Sequence, residues 1–103
     1  MVNGNELIID YVMNYPNPFS SNTTFTFQQN LDVPIDVKIR IYTVAGRLIQ
    51  ELEENNLVEK FVKIPWEGRD RDGNQLANGV YLYKLSVSTI DGKYKSSSLG
   101  KLA

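Results

Sequence analysis

The stretch Ile35-Asp36-Val37-Lys38-Ile39-Arg40-Ile41-Tyr42-Thr43 decides the fold. Ile35, Val37, Ile39 and Ile41 recur at every second position, with Asp36, Lys38, Arg40 and Tyr42 between them. Successive side chains of an extended strand point to opposite faces, so this spacing gathers the apolar groups on one side. A helix would scatter them around its circumference.

Working outward, Gly79 to Thr89 repeats the pattern. Tyr81, Tyr83, Leu85 and Val87 share one face, and Val80, Leu82, Lys84 and Ser86 the other. Thr23 to Gln29 alternates Phe25 and Phe27 with Thr24 and Thr26. Leu7 to Met13 is apolar and β-branched, and Leu48 to Glu53 follows a Val44-Ala45-Gly46-Arg47 turn. Val58 to Trp66 sets Val58, Val62, Ile64 and Trp66 on one side, and Lys93 to Leu102 completes the set. Leucine and glutamate between 48 and 57 also suit a helical turn, but the surrounding β pattern favours a strand. About seven strands with turn signals every ~8–12 residues predict an all-β antiparallel sandwich of two sheets.

The turn residues divide the strands. Asp91-Gly92 predicts a two-residue type I′ hairpin turn, in which both central residues have positive φ. Asn55-Asn56 predicts another reversal. Pro16-Asn17-Pro18 is stiff and cannot donate into a central ladder. It predicts a crossover at a sheet edge, where a strand switches sheets and Phe19 plugs the core.

Composition excludes several function classes. The chain has 103 residues, enough for one domain, which we read as a polar lead-in over residues 1–6 and a sandwich over 7–103. Eleven basic and twelve acidic side chains give a net charge of −1, unlike the basic surface that nucleic-acid binding requires. Without histidine or cysteine there is no Ser-His-Asp or Cys-His system, no zinc finger and no disulfide. No run approaches the ~18 apolar residues of a membrane span. Met1-Val2-Asn3-Gly4-Asn5 lacks the basic-then-apolar pattern of a signal peptide, so any export signal is expected elsewhere in a longer parent.

The remaining motifs read first as structure. Trp66 is expected to close one end of the sandwich. Gly68, Gly73 and Gly79 then permit backbone angles that other residues resist, and Asp70 and Asp72 accept turn N–H groups. Asp70-x-Asp72-x-Asn74 also spaces oxygen ligands as a calcium loop begins, but Tyr81 stands where the bidentate acid would close it. No cofactor or catalytic residue is expected, and a carboxylate pair among Glu67, Asp70 and Asp72 has no pocket built around it. Tyr11, Tyr42, Tyr81, Tyr83 and Tyr94 suit cross-strand packing better than a sugar-stacking strip. Lys84, Lys93, Lys95 and Lys101 make the last hairpin locally basic.

Three segments together carry a family resemblance. They are Tyr15-Pro16-Asn17-Pro18-Phe19 with Thr23-Thr24-Phe25, Ile39-Arg40-Ile41-Tyr42 running into Val44-Ala45-Gly46-Arg47-Leu48, and Trp66-Glu67-Gly68-Arg69-Asp70 leading through Asp72-Gly73-Asn74 to Asn78-Gly79-Val80-Tyr81-Leu82-Tyr83. The chain resembles, from about Tyr15 to Leu102, the Ig-like domain shared by flagellar hook-capping proteins and the C-terminal sorting domains of type IX secretion cargo. Gly92-Lys93-Tyr94-Lys95 and Gly100-Lys101-Leu102 are similar to the closing hairpin of the sorting domains. The tail and the Tyr15-Pro16-Asn17-Pro18-Phe19 motif are also similar to the end of cysteine-peptidase-family proteins that include the type IX sortase, whose catalytic residues have no counterpart here.

The resemblance implies a non-catalytic Ig-like module of a secreted or surface bacterial protein that reaches the outer-membrane surface through the periplasm, with a peptidase as one candidate parent. Its expected partners are secretion-machinery proteins and upstream domains of the parent. The expected recognition set is Gly92, Lys93, Tyr94, Lys95, Gly100, Lys101 and Leu102. Pro16, Asn17, Pro18, Phe19, Gly46, Trp66, Gly68, Asp70, Gly73, Gly79 and Tyr81 are the expected structural set. Two rival readings are an interaction module of a flagellar or cell-surface assembly and a carbohydrate-binding module of a secreted hydrolase.

Overall fold

The computed structural model describes residues 6–16 and 21–102. Seven strands form: β1 (Ile9–Tyr15), β2 (Thr23–Gln29), β3 (Ile35–Thr43), β4 (Leu48–Leu57), β5 (Phe61–Trp66), β6 (Tyr81–Thr89) and β7 (Lys95–Leu102). They make a three-stranded sheet of order β1-β2-β5 and a four-stranded sheet of order β4-β3-β6-β7. Every pairing is antiparallel. This is the expected all-β Ig-like sandwich. The described residues hold no helix long and apolar enough to cross a membrane.

The core follows from the alternation. Ile35, Val37, Ile39 and Ile41 of β3 are sealed from solvent, while Asp36, Lys38, Arg40 and Tyr42 face outward. Leu85 and Val87 of β6 lie beside them, and Phe25 and Phe27 of β2 face them from the other sheet. The aromatic centre is a chain of rings. Phe25 stacks on Trp66 at 6.1 Å between centroids and meets Tyr83 edge-on at 5.0 Å. Burial raises the pKa of the Tyr83 phenol.

Several expectations are corrected. β1 begins at Ile9 because the Asn30 side chain ties up the preceding segment. Its Oδ1 accepts from the Ile8 N–H at 2.7 Å, and its Nδ2 donates to the Glu6 carbonyl at 2.7 Å. A bulge with Tyr11 at φ 57° then shifts the register between Asp10 and Met13, turning Met13 outward and Asn14 inward. Pro16 ends edge strand β1, but the chain does not switch sheets there, because β1 and β2 pair in the same sheet. Asn17, Pro18 and Phe19, together with Met1 to Asn5 and Ala103, lie outside the described residues.

Asn55 and Asn56 do not reverse the chain. They lie inside β4, where Asn56 adopts φ 60° and the β3–β4 register gains a residue between Ile35 and Val37. The Asn56 N–H bonds the Asp36 carboxylate at 3.0 Å, which holds this bulge in place. Val58 falls between strands and is exposed, so the buried stripe of β5 is Val62, Ile64 and Trp66 alone.

The buried polar groups are paired. Asn14 Nδ2 donates to the Thr23 hydroxyl at 3.2 Å, and that hydroxyl donates to the Pro16 carbonyl at 3.0 Å. Thr23→Val keeps the shape but strips Asn14 of a partner, and is expected to cost about 1–2 kcal/mol in urea unfolding. An unchanged midpoint would show that the Asn14–Thr23 pair adds nothing to stability.

Candidate functional site

The last hairpin is organised by Thr89 and Asp91. The loop from Ile90 to Tyr94 is longer than the type I′ turn expected, and of Asp91 and Gly92 only Gly92 has positive φ, at 76°. Its N–H bonds the Thr89 carbonyl at 2.8 Å, and the Thr89 N–H bonds the Tyr94 carbonyl at 2.9 Å. The Asp91 carboxylate accepts from the Thr89 hydroxyl at 2.6 Å and the Lys93 N–H at 2.9 Å. These bonds, the hydroxyl first, hold the carboxyl below its ordinary range. The Asp91 side chain thus caps a loop longer than two residues.

Of the expected recognition residues, some face out and others face the core. Lys95 and Lys101 point to solvent from β7, with Ser97 and Leu99 between them, and Lys93 sits in the loop. Tyr94 is half-buried against the core. Leu102 has no exposed surface, and Gly100 lies directly beneath the ring of Tyr83. A partner approaching this face therefore meets Lys95, Ser97, Leu99 and Lys101. Leu99 is 80% exposed and is absent from the expected set, because a lone apolar residue in a serine-rich run carries no signal until its strand face is known. Lys84 reads with the hairpin in the sequence, but strand pairing also brings Lys38 and Arg40 of β3 onto its face.

The segment after Trp66 is a small self-bonded hairpin. Asp70 Oδ1 accepts from the Asp72 and Asn74 N–H groups at 3.0 and 2.9 Å, and Gly73, at φ 85°, donates to the Asp70 carbonyl at 3.0 Å. Gln75 Nε2 donates to the Gly68 carbonyl at 3.0 Å. Trp66 Nε1 donates to the Arg69 carbonyl at 3.2 Å, and the Arg71 N–H reaches the Ile49 carbonyl at 3.1 Å. Oδ1 of Asp70 is thus engaged by the turn. Among the described residues, no group of three or more acidic side chains is placed to hold a metal. Beyond it, the Tyr81 hydroxyl donates to the Ala77 carbonyl at 2.6 Å, and Gly46 closes the β3–β4 turn on Thr43.

Two antiparallel sheets, a ring-filled centre and a hairpin presenting an outward lysine face define an Ig-like module. The chain belongs to the FlgD Ig-like domain family, whose model matches residues 14–93. Among solved structures it is similar to dimeric latent PorU from Porphyromonas gingivalis, with a TM-score of 0.77 and 27% sequence identity. That match covers 93% of this chain and 9% of the PorU chain. No curated protein matches the chain.

Proposed function

We propose that this Ig-like domain is a non-catalytic accessory and sorting module of a longer exported bacterial protein, recognised by type IX secretion machinery. The observation that carries this reading is the match of nearly the whole chain to a small part of a far longer one. A domain used in that way serves the chain around it. The closing hairpin motifs, similar to those of sorting domains, support recognition through β7. The route in this reading runs through the periplasm to the outer-membrane surface, and the parent is a peptidase in its narrowest form.

The exposed side of β7 supplies the test. Deleting the last strand would remove Leu102 from the core, so surface substitutions are the cleaner probe. The chain is fused to a periplasm-targeted reporter in a bacterium that has the type IX system. The intact fusion is expected at the cell surface, and the fusion carrying Lys95→Glu and Lys101→Glu is expected to remain in the periplasm. An intact fusion that stays in the periplasm would overturn the sorting reading.

The family match to FlgD favours a second reading, an interaction module in a surface or flagellar assembly. Sugar stacking draws no support from the tyrosines. Tyr11 lies on β1 and Tyr42 on β3, in different sheets.

A further inference from the structure

The outward side of the four-stranded sheet is not flat. Cross-strand pairing sets Lys38 of β3 beside Ser86 of β6, and Ser86 beside Ser97 of β7. One step along, Asp36 lies beside Ser88, and Ser88 beside Lys95. In the other direction, Arg40 lies beside Lys84. The three serines are short and their neighbours long, so the face sinks along β6 into an open trough of about 540 Å³.

The charges in this trough are unevenly matched. Arg40 Nε bonds Glu51 at 3.1 Å, and Lys38 approaches the same carboxylate at 3.9 Å. That hydrogen bond from Arg40 is the main cause that lowers the Glu51 pKa. Lys84 and Lys95 have no carboxylate within 4 Å among the described residues. Two unpaired ammonium groups therefore flank a floor of hydroxyls, which both donate and accept hydrogen bonds.

We infer that this trough docks an extended, acidic polypeptide segment of a partner protein. Lys84 and Ser88 are four residues apart on β6, about 13 Å at the rise of a strand, which is the length of four extended residues. The Lys84 end, walled by Lys38 and Arg40, takes carboxylates of the segment. At the other end, on either side of Ser88, Lys95 takes a further carboxylate and Asp36 a basic residue of the segment. The serines serve the backbone and small polar groups in between.

Charge complementarity selects a polypeptide over a dense polyanion. Asp36 and Glu53 also line the trough, and the whole chain carries a net charge of −1. A sulfated glycan or an acidic membrane would bring negative charge against both carboxylates, with no long-range attraction to offset it. Separate carboxylates among neutral residues avoid that clash. Docking of this kind does not depend on whether the domain sorts its parent.

The test is a heteronuclear NMR titration of the chain with acetyl-Gly-Glu-Ser-Glu-Gly-Lys-amide. The control is the same peptide with its charges inverted, and heparin is the competing polyanion. Saturable shifts concentrated at Ser86, Ser88 and Ser97 are expected. Lys84→Glu, or the exposed Lys95→Glu if the first variant loses its dispersed spectrum, should weaken binding about tenfold. No saturable shift at millimolar peptide, an equal response to the inverted peptide, or tighter binding of heparin at the same serines would each overturn it.

Discussion

Replacing Trp66 with alanine is expected to lower the unfolding free energy by about 3–5 kcal/mol. Trp66 is 5% exposed at the end of β5, where it pairs with Thr23. Its ring stacks on Phe25, which in turn meets Tyr83, so its removal empties one end of a continuous aromatic row. The loss has two physical parts, transfer of a large apolar surface back to water and a void that its rigid neighbours cannot fill.

The substitution also frees the Arg69 carbonyl from the indole N–H. A domain of this size is stabilised by about 5–15 kcal/mol in total, so much of that margin would go. Trp66 is the chain's single tryptophan, so unfolding is best followed by circular dichroism in urea. Trp66→Phe keeps a ring and should cost clearly less. Equal losses for the two variants would mean that the N–H bond, and not ring packing, carries the effect.

The second large effect runs against strand propensity. Valine is a better strand former than glycine, so Gly100→Val on β7 would be expected to stabilise an ordinary strand position. Here a side chain at position 100 would collide with the ring and hydroxyl of Tyr83, which is buried and hemmed in by Phe25. Overpacking of this kind costs about 2–3 kcal/mol, more than the propensity gain. Tyr83→Leu opens the space, so the double variant should be more stable than the sum of the two single changes by about 1–2 kcal/mol. A Gly100→Val domain as stable as its parent would show that the Tyr83 ring moves aside freely.

How far the fold is legible in the sequence depends on the kind of signal. β2 and β3 follow from alternation over their full lengths because each lies inside its sheet and has one fully buried face. The edge strands are less legible. β1 slips because a single side chain, Asn30, competes for the backbone groups of residues 6–8. β4 runs on through Asn55 and Asn56 because a bulge tolerates the residues that a turn also prefers.

The hairpin motif is visible as a string, but its division is not. Lys101 and Leu102 are adjacent in sequence and face opposite ways, one into solvent and one into the core. Lys38 and Lys84 share one face only because β3 and β6, distant in the chain, lie side by side. No local pattern reports that pairing.

Leu102 and Lys101 also tie two events together. The outward order of Lys95, Ser97, Leu99 and Lys101 exists only when β7 is zipped to β6 in one register, and a slip of one residue would turn the lysines inward. Seating Leu102 in the core fixes that register. Any partner that reads the lysine face thereby samples the pairing of β7 with β6. A chain with β7 unpaired would present no such pattern, so in the proposed reading recognition through β7 would be confined to folded domains.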